Sequence, residues 1–287
     1  MTQKLSFEDQ ISRNKLKSVF LMAFIFVIFL ILGWIVSAIY NPGAFFLIMI
    51  ASIIISMIYL VVSYYNSDKI ALASVNAKPA SQTEYRMLHH AVDSMAIASG
   101  LPKPRVFIME SRQINAFASG RDPQHAVICV TTGLLNKLNK QQLEGVIAHE
   151  MAHIANFDIR FMTLTAVMVG MISIAAEIFL RSLWFSGGNS NSNDKGGAIL
   201  VIIGIVLAIL APIVAHMVSL AISRKREFTA DATGAKFTRY PAGLASALKA
   251  ISHEHVSDQD KHHYAKAMAP LFISDPFKRK VQGLFST

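Results

Sequence analysis

Four long apolar segments limit what this chain of 287 residues can fold into. They run from Ser18 to Tyr40, Ala44 to Tyr65, Phe161 to Phe185 and Ala198 to Ile222. Each is longer than about 20 residues, the length at which a helix crosses the roughly 30 Å hydrocarbon layer of a bilayer. The sequence is only 16% charged, whereas soluble domains are about a quarter charged. We therefore expect four membrane spans and a modest soluble part.

The placement of lysine and arginine predicts how the spans are oriented. Positive charges precede the first span and follow the fourth, at Lys4, Arg13, Lys15, Lys17, Arg224, Lys225 and Arg226. The loop between the first two spans has no positive charge, and the Gly/Ser/Asn-rich loop 186–197 has only Lys195, beside Asp194. The positive-inside rule then puts both termini and residues 66–160 in the cytoplasm.

The spans divide the chain into five predicted parts. These are a cytoplasmic N-terminal segment (1–17), a membrane hairpin (18–65), the first part of a cytoplasmic domain (66–160), a second hairpin (161–222) and the second part of the domain (223–287). The domain has an α+β pattern. Helices are predicted at Ser81–Ala98, from an N-cap at Asn139, at Ser223–Phe237 and at Pro241–His253, and strands at Pro104–Glu110, Ile114–Gly120 (an edge strand) and His125–Leu135.

The net charge of +9 raises the question of a nucleic-acid partner. No RNP-like, zinc-finger or helix-turn-helix pattern accompanies the charge, and the basic residues flank the apolar segments, so anionic lipid is the better explanation. We predict no nucleic-acid partner. The single cysteine, Cys129, excludes an intramolecular disulfide and is compatible with a reducing compartment.

The stretch His149-Glu150-Met151-Ala152-His153 carries the strongest chemical signal. On a helix, residues four apart share a face, so His149 and His153 can bind one metal ion. Neutral imidazole suits zinc, and a catalytic zinc site has three protein ligands and a water. Glu150 lies one position along, where it can reach that water rather than the metal. The alternative is that the two histidines are ordinary core or surface residues.

A third ligand is expected from a second helix. Glu227 and Asp231, in Arg-Glu-Phe-Thr-Ala-Asp, lie four apart on one helix face. Glu227 would complete a His₂Glu site, and Asp231 could accept the outer N–H of a ligating histidine. The alternative is that both acids only stabilise the positive end of a helix. The predicted hairpin 161–222 favours the metal site, because it returns the chain to the membrane face where His149 and His153 lie and so brings Glu227 towards them.

The two metal motifs, Asn-Ala-Phe-Ala at residues 115–118 and the four spans together resemble the HtpX family. These are membrane-bound heat-shock zinc metallopeptidases of bacteria, related to the CAAX-processing prenyl endopeptidases. The resemblance covers essentially the whole chain. It implies an α-helical membrane protein with four spans and an α+β metallopeptidase domain of the zincin type on the cytoplasmic side of the inner membrane.

The resemblance also implies roles for particular residues. His149, His153 and Glu227 would bind one Zn²⁺, Glu150 would act in catalysis, and Asp231 would support a ligand. Asn115, Ala116, Phe117 and Ala118 would form an edge strand that aligns an extended substrate by β-augmentation. The implied partners are the lipid bilayer and misfolded or surplus membrane proteins, which the enzyme would hydrolyse in quality control.

One departure from the family concerns the residue that helps to stabilise the oxyanion. Members typically continue Leu-Phe-x-Thr with His-Pro-Pro, and we expect that this sequence is truncated at Leu284–Thr287, where that stretch should begin. His262, His263, Tyr264 and the missing histidine are the candidates for the additional donor. Two other functions stay open, namely a processing peptidase for one partner and an idle membrane adaptor or sensor with a structural zinc site.

Overall fold

The computed structural model describes residues 7–40, 42–170, 172, 224–253 and 271–273. Helix α1 (Phe7–Tyr40) packs against α2 (Phe45–Tyr65), and the 3₁₀ turn Pro42–Ala44 lies between them. Ile11–Trp34 and Phe45–Tyr65 are long and apolar enough to cross a membrane. Only 22% and 6% of their most apolar stretches are buried, whereas the core helices of a soluble protein are mostly buried.

The third apolar segment is described at its beginning only. Residues 158–170 form helix α7, every residue of which from 161 to 170 is buried. Leu21 and Ile25 of α1 join Phe161 and Leu164 of α7 in one cluster of buried side chains. The remainder of this segment, the loop 186–197 and the fourth predicted span lie outside the described residues. The first hairpin is thus packed directly on the helix that follows the predicted metal-binding motif.

The soluble part contains a four-stranded sheet with the strand order β1-β2-β4-β3. Its strands are β1 (Lys78–Pro79), β2 (Arg105–Met109), β3 (Ala116–Ser119) and β4 (Val127–Thr131). The β2–β4 pair is parallel, and the other two pairs are antiparallel. The prediction of an edge strand at β3 is confirmed. Cys129 of β4 is fully buried, and burial raises the pKa of its thiol.

The predicted strand His125–Leu135 is wrong at both ends. A 3₁₀ turn occupies Pro123–His125, and the strand stops at Thr131, whose hydroxyl accepts a hydrogen bond from the Leu134 N–H. That bond caps helix α5 (Thr132–Lys137). A β-branched residue therefore ends this strand because its side chain satisfies the first N–H groups of a helix.

Helix α3 (Ser67–Ser74) packs against α2 and β3. The central helix is α6 (Lys140–Ala155), and α4 (Arg86–Ser99), α8 (Arg224–Thr238) and α9 (Pro241–His253) pack against it. Helix α4 begins five residues later than predicted, since residues 82–85 form a turn, and the positive φ of 70° at Gly100 ends it. The predicted bounds of α8 and α9 agree with the structure to within one residue.

Helix α6 begins where its sequence predicts. The Asn139 side chain accepts from the Gln142 N–H, and the Gln142 side chain accepts from the Asn139 N–H, both at 3.0 Å. This capping box satisfies two of the N–H groups that a helix start leaves without partners. Beyond the first turn α6 is enclosed by α4, α8, α9 and β3. Its apolar residues form the centre of the core, at Leu143, Val146, Ile147, Met151 and Ile154.

Gly145 fixes how closely α9 approaches α6. A Cβ atom at this position would lie 2.5 Å from the Leu244 N atom and 2.7 Å from its Cα. Both contacts are to backbone, so the helices could not accommodate a side chain without moving apart.

We predict that Gly145→Val lowers the unfolding temperature of the purified protein. The branched side chain would force α9 away from α6, and overpacking of this kind costs about 1–3 kcal/mol. Thermal unfolding in detergent measures the effect. Gln141→Ala changes an exposed residue of the same helix and should leave the transition unchanged. An unshifted transition for Gly145→Val would contradict the close helix contact.

Candidate metal centre

Two imidazole rings lie edge to face on the side of α6 that meets α8. His149 and His153 are one helical turn apart, and their side chains are only 3% and 6% exposed. Their Nε2 atoms lie 3.2 Å apart. Both rings therefore direct one nitrogen towards the same point, as the H-E-x-x-H spacing predicts.

Helix α8 brings Glu227 to that point. Glu227 Oε2 lies 3.5 Å from Nε2 of His149 and 3.8 Å from Nε2 of His153. The three ligand atoms are all within 4.8 Å of one another. The close approach depends on small buried residues of α8, Ala230 and Gly234, since a Cβ on Gly234 would lie 3.1 Å from the His149 N atom.

The outer nitrogen of each ring is bonded to a carboxylate. His149 Nδ1 lies 2.9 Å from Asp231 Oδ1, and His153 Nδ1 lies 3.1 Å from Asp158 Oδ2. A carboxylate only accepts, so each Nδ1 carries a hydrogen and a neutral ring keeps its lone pair on Nε2. Two such lone pairs cannot satisfy each other at 3.2 Å, whereas a cation between them and Glu227 satisfies both. Two neutral imidazoles and one carboxylate are a donor set that fits zinc.

The surrounding carboxylates alter the protonation of these rings. Burial alone would lower the pKa of His153, but its hydrogen bonds with Asp158 and Glu227 raise that pKa to about 10. For His149, bonds with Asp231 and Glu227 likewise outweigh burial and raise the pKa. Burial would raise the pKa of Glu227, but the two histidines lower it overall. Without metal, a protonated His153 ring therefore lies against the negatively charged Glu227 carboxylate.

Glu150 lies beside this cluster and is almost completely buried, at 2% exposure. Burial raises the pKa of its carboxyl, although the two histidines and a hydrogen bond from the Ala118 backbone partly oppose the shift. The bond to Ala118 connects α6 to the edge strand. A carboxylate with a raised pKa is suited to accept a proton near neutral pH.

The edge strand β3 and the residue before it include the residues predicted to align substrate. Asn115, Ala116, Phe117 and Ala118 are all buried, and part of their cover is the chain's own segment Leu271–Ile273. The Ile273 N–H donates to the Ala116 carbonyl at 3.1 Å, and the rings of Phe272 and Phe117 meet edge to face at 5.4 Å. The strand thus lies next to the metal centre, with one of its backbone carbonyls already bonded.

The segment that packs on β3 belongs to a stretch that resembles the ending typical of the family. Residues 271–276, Leu-Phe-Ile-Ser-Asp-Pro, match the family's Leu-Phe-x-Thr-His-Pro more fully than residues 284–287 do. The match places Asp275 where the family has histidine. Asp275 and the candidate donors His262, His263 and Tyr264 lie outside the described residues.

Asp158 is the other residue that sequence reasoning missed. Its carboxylate is 1% exposed and bonds directly to His153. The available signal was an acid placed five residues after the second histidine, between two apolar helices, where a charge without a partner would be costly.

Known proteins resemble this chain over its full length. The peptidase family M48 matches residues 81–287. A protease HtpX homolog of Thermoanaerobacter pseudethanolicus is 44% identical over 100% of this chain and 95% of its own length. Another, of Dictyoglomus thermophilum, is 38% identical over 98% and 90%. A crystal structure of Ste24p from S. mikatae gives a TM-score of 0.44 at 19% identity, covering 91% of this chain and 66% of that one.

These features define a membrane-associated metallopeptidase. The chain belongs to peptidase family M48, among the HtpX proteases. The family is zinc-dependent, which agrees with the zinc predicted from the sequence and with the group of His149, His153 and Glu227 that can hold a metal ion.

We predict that zinc binding releases protons. Because the pKa of His153 is raised to about 10 in the metal-free centre, its ring is protonated at neutral pH and zinc must displace that proton. Affinity should therefore rise with pH, by up to about tenfold per unit for each proton displaced. Calorimetric titration in buffers of different ionisation enthalpy measures the release. An affinity that is independent of pH across the neutral range would contradict this account.

Proposed function

We propose that the chain is a zinc endopeptidase that hydrolyses misfolded or surplus proteins at the cytoplasmic face of a bacterial inner membrane. The observation that carries the proposal is the convergence of His149, His153 and Glu227 at one point, beside the buried carboxyl of Glu150. The family supports peptide hydrolysis as the reaction.

In this proposal His149, His153 and Glu227 hold one Zn²⁺, and Asp231 keeps the His149 lone pair directed at it. When bound, zinc supplies Lewis-acid chemistry, since it makes water more acidic and polarises a carbonyl group. Glu150 accepts a proton from the water as the oxygen forms a bond to the scissile carbonyl carbon. As the C–N bond breaks, Glu150 delivers that proton to the leaving amine.

The edge strand gives the substrate its direction. Asn115 to Ala118 would pair with an extended peptide, and the Ala118 bond to Glu150 sets the distance from the strand to the proton acceptor. Substrates that are unfolded can take up this extended conformation, whereas folded ones cannot. The bonded Ala116 carbonyl means that a peptide reaching this end of β3 must displace Ile273.

We propose four membrane spans with both termini in the cytoplasm, which would put this centre at the inner surface of the membrane. The two described apolar helices and the direct packing of α1 on α7 support that placement. Protease treatment of intact spheroplasts and of inverted vesicles tests it. Digestion of the soluble domain in intact spheroplasts would overturn the orientation.

We predict that Glu150→Gln retains zinc and loses cleavage. The amide cannot accept the proton of water, and general base catalysis contributes about 10²–10⁴ in rate. Cleavage of casein and of an unfolded membrane protein measures activity, and elemental analysis measures zinc. Undiminished turnover in this variant would end the assignment of Glu150.

We predict that His149→Ala loses zinc as well as cleavage, because only two ligands remain. His90→Ala is a matched control, since it removes a histidine from the exposed face of α4. Full zinc content in His149→Ala would remove that residue from the ligand set.

Substrate profiling separates this function from its two rivals. Quality control requires loose sequence preference and dependence on unfolded segments, whereas a dedicated processing peptidase would cut one sequence regardless of folding. An idle adaptor would cleave neither casein nor itself. Cleavage of either that stops when a zinc chelator is added would therefore exclude that function.

A further inference from the structure

Asp158 lies where three parts of the chain meet. It is the first residue of α7, and its Oδ2 bonds to the His153 ring on α6. Its Oδ1 lies 4.0 Å from Nε of Arg226, which precedes Glu227 on α8. A carboxylate buried at 1% exposure depends on such partners, because an uncompensated buried charge is strongly destabilising.

The third part is the beginning of the first apolar helix. Asn14 of α1 is buried at 6% exposure, and its Nδ2 donates to Asp158 Oδ1 at 2.7 Å. The same Nδ2 also donates to the Asn156 carbonyl at 3.0 Å. Both amide hydrogens are therefore used, and the two acceptors lie in the turn after the metal-binding helix α6 and at the first residue of α7.

The position of Asn14 is itself held by packing. Ser18, one turn further along α1, is 1% exposed, and Leu21 and Ile25 pack on α7. The ammonium group of Lys15, the residue after Asn14, lies 4.5 Å from the centre of the Phe157 ring. Helix α1 thus cannot move along α7 without taking the Asn14 amide away from Asp158.

We propose that Asn14 and Asp158 are positioning residues of the metal centre, so that the N-terminal end of the first membrane helix is part of the zinc site. Asp158 fixes the orientation and basicity of His153, and Asn14 fixes Asp158. The proposal rests on the proposed role of His153 as a zinc ligand.

Asn14 can act on His153 through Asp158 because the two oxygens of the Asp158 carboxylate bond to different partners. Oδ2 serves His153, and Oδ1 is held by the amide of Asn14. Without that amide, Oδ1 loses this hydrogen bond and the carboxylate can rotate towards other donors. The His153 ring is then no longer held in one orientation. Partners that orient a metal ligand in this way typically contribute about 10–100-fold to metal affinity.

The test measures zinc affinity of the full-length protein in detergent, by competition with a chromogenic chelator. We expect Asp158→Ala to weaken binding about 10–100-fold, and Asn14→Leu, which preserves volume, to weaken it severalfold. If Asn14 acts through Asp158, the double variant should bind as Asp158→Ala does. A value for Asn14→Leu within twofold of the parent, or effects that multiply in the double variant, would overturn the proposal.

Two controls separate positioning from general damage and from failure of the proposed ligand set. The first control is Asn66→Leu, which also removes an Asn amide that donates to a backbone carbonyl, here the Val62 carbonyl in an exposed hydrogen bond. This variant should leave zinc affinity unchanged. Unfolding temperatures measured in chelator and in zinc should show that Asn14→Leu reduces the increment given by zinc, whereas a mere packing defect lowers both temperatures equally. His153→Ala must itself weaken binding; if it does not, the ligand assignment fails rather than this proposal.

Discussion

The structure depends on burying ionisable groups along one face of α6. His149, Glu150 and His153 are all buried, in a helix whose other faces pack against the sheet and three helices. A buried charge is tolerated only when it is paired and hydrogen-bonded. Each ring therefore has its own carboxylate, one from α8 and one from α7. The need to supply those partners explains why α8, which follows the second predicted hairpin, must meet α6 and the start of α7 at the same place.

The sequence contained much of this site because the relevant contacts follow helical periodicity. The spacing of His149 and His153, and of Glu227 and Asp231, determines which side chains share a face, and the capping box at Asn139 and Gln142 determines where α6 begins. The roles of Asp158 and Asn14 were not predictable in that way. Their contact joins residues 144 positions apart, and a single polar residue at the end of an apolar helix has no period. The two-residue strand β1 was missed for the same reason.

The edge of the sheet illustrates a different limit of sequence reasoning. The alternation in residues 114–120 predicts a strand and its place at an edge, but it does not specify what covers that edge. Here the chain itself contributes Leu271–Ile273, and the contact of Phe272 with Phe117 places a distant segment against the residues proposed to align substrate. An extended peptide aligned as proposed would compete with this segment, because both would use the same side of β3.

The position of Cys129 has a practical consequence. It is the one sulfhydryl of the chain, and it is enclosed in the middle of β4, where burial also disfavours the reactive thiolate. Maleimide reagents should consequently leave the native protein unlabelled and react only after the sheet opens. Cys129 can therefore report unfolding of the protein without any substitution. The folded protein is also an unreactive background, into which single cysteines can be introduced to map which parts of the chain face each side of the bilayer.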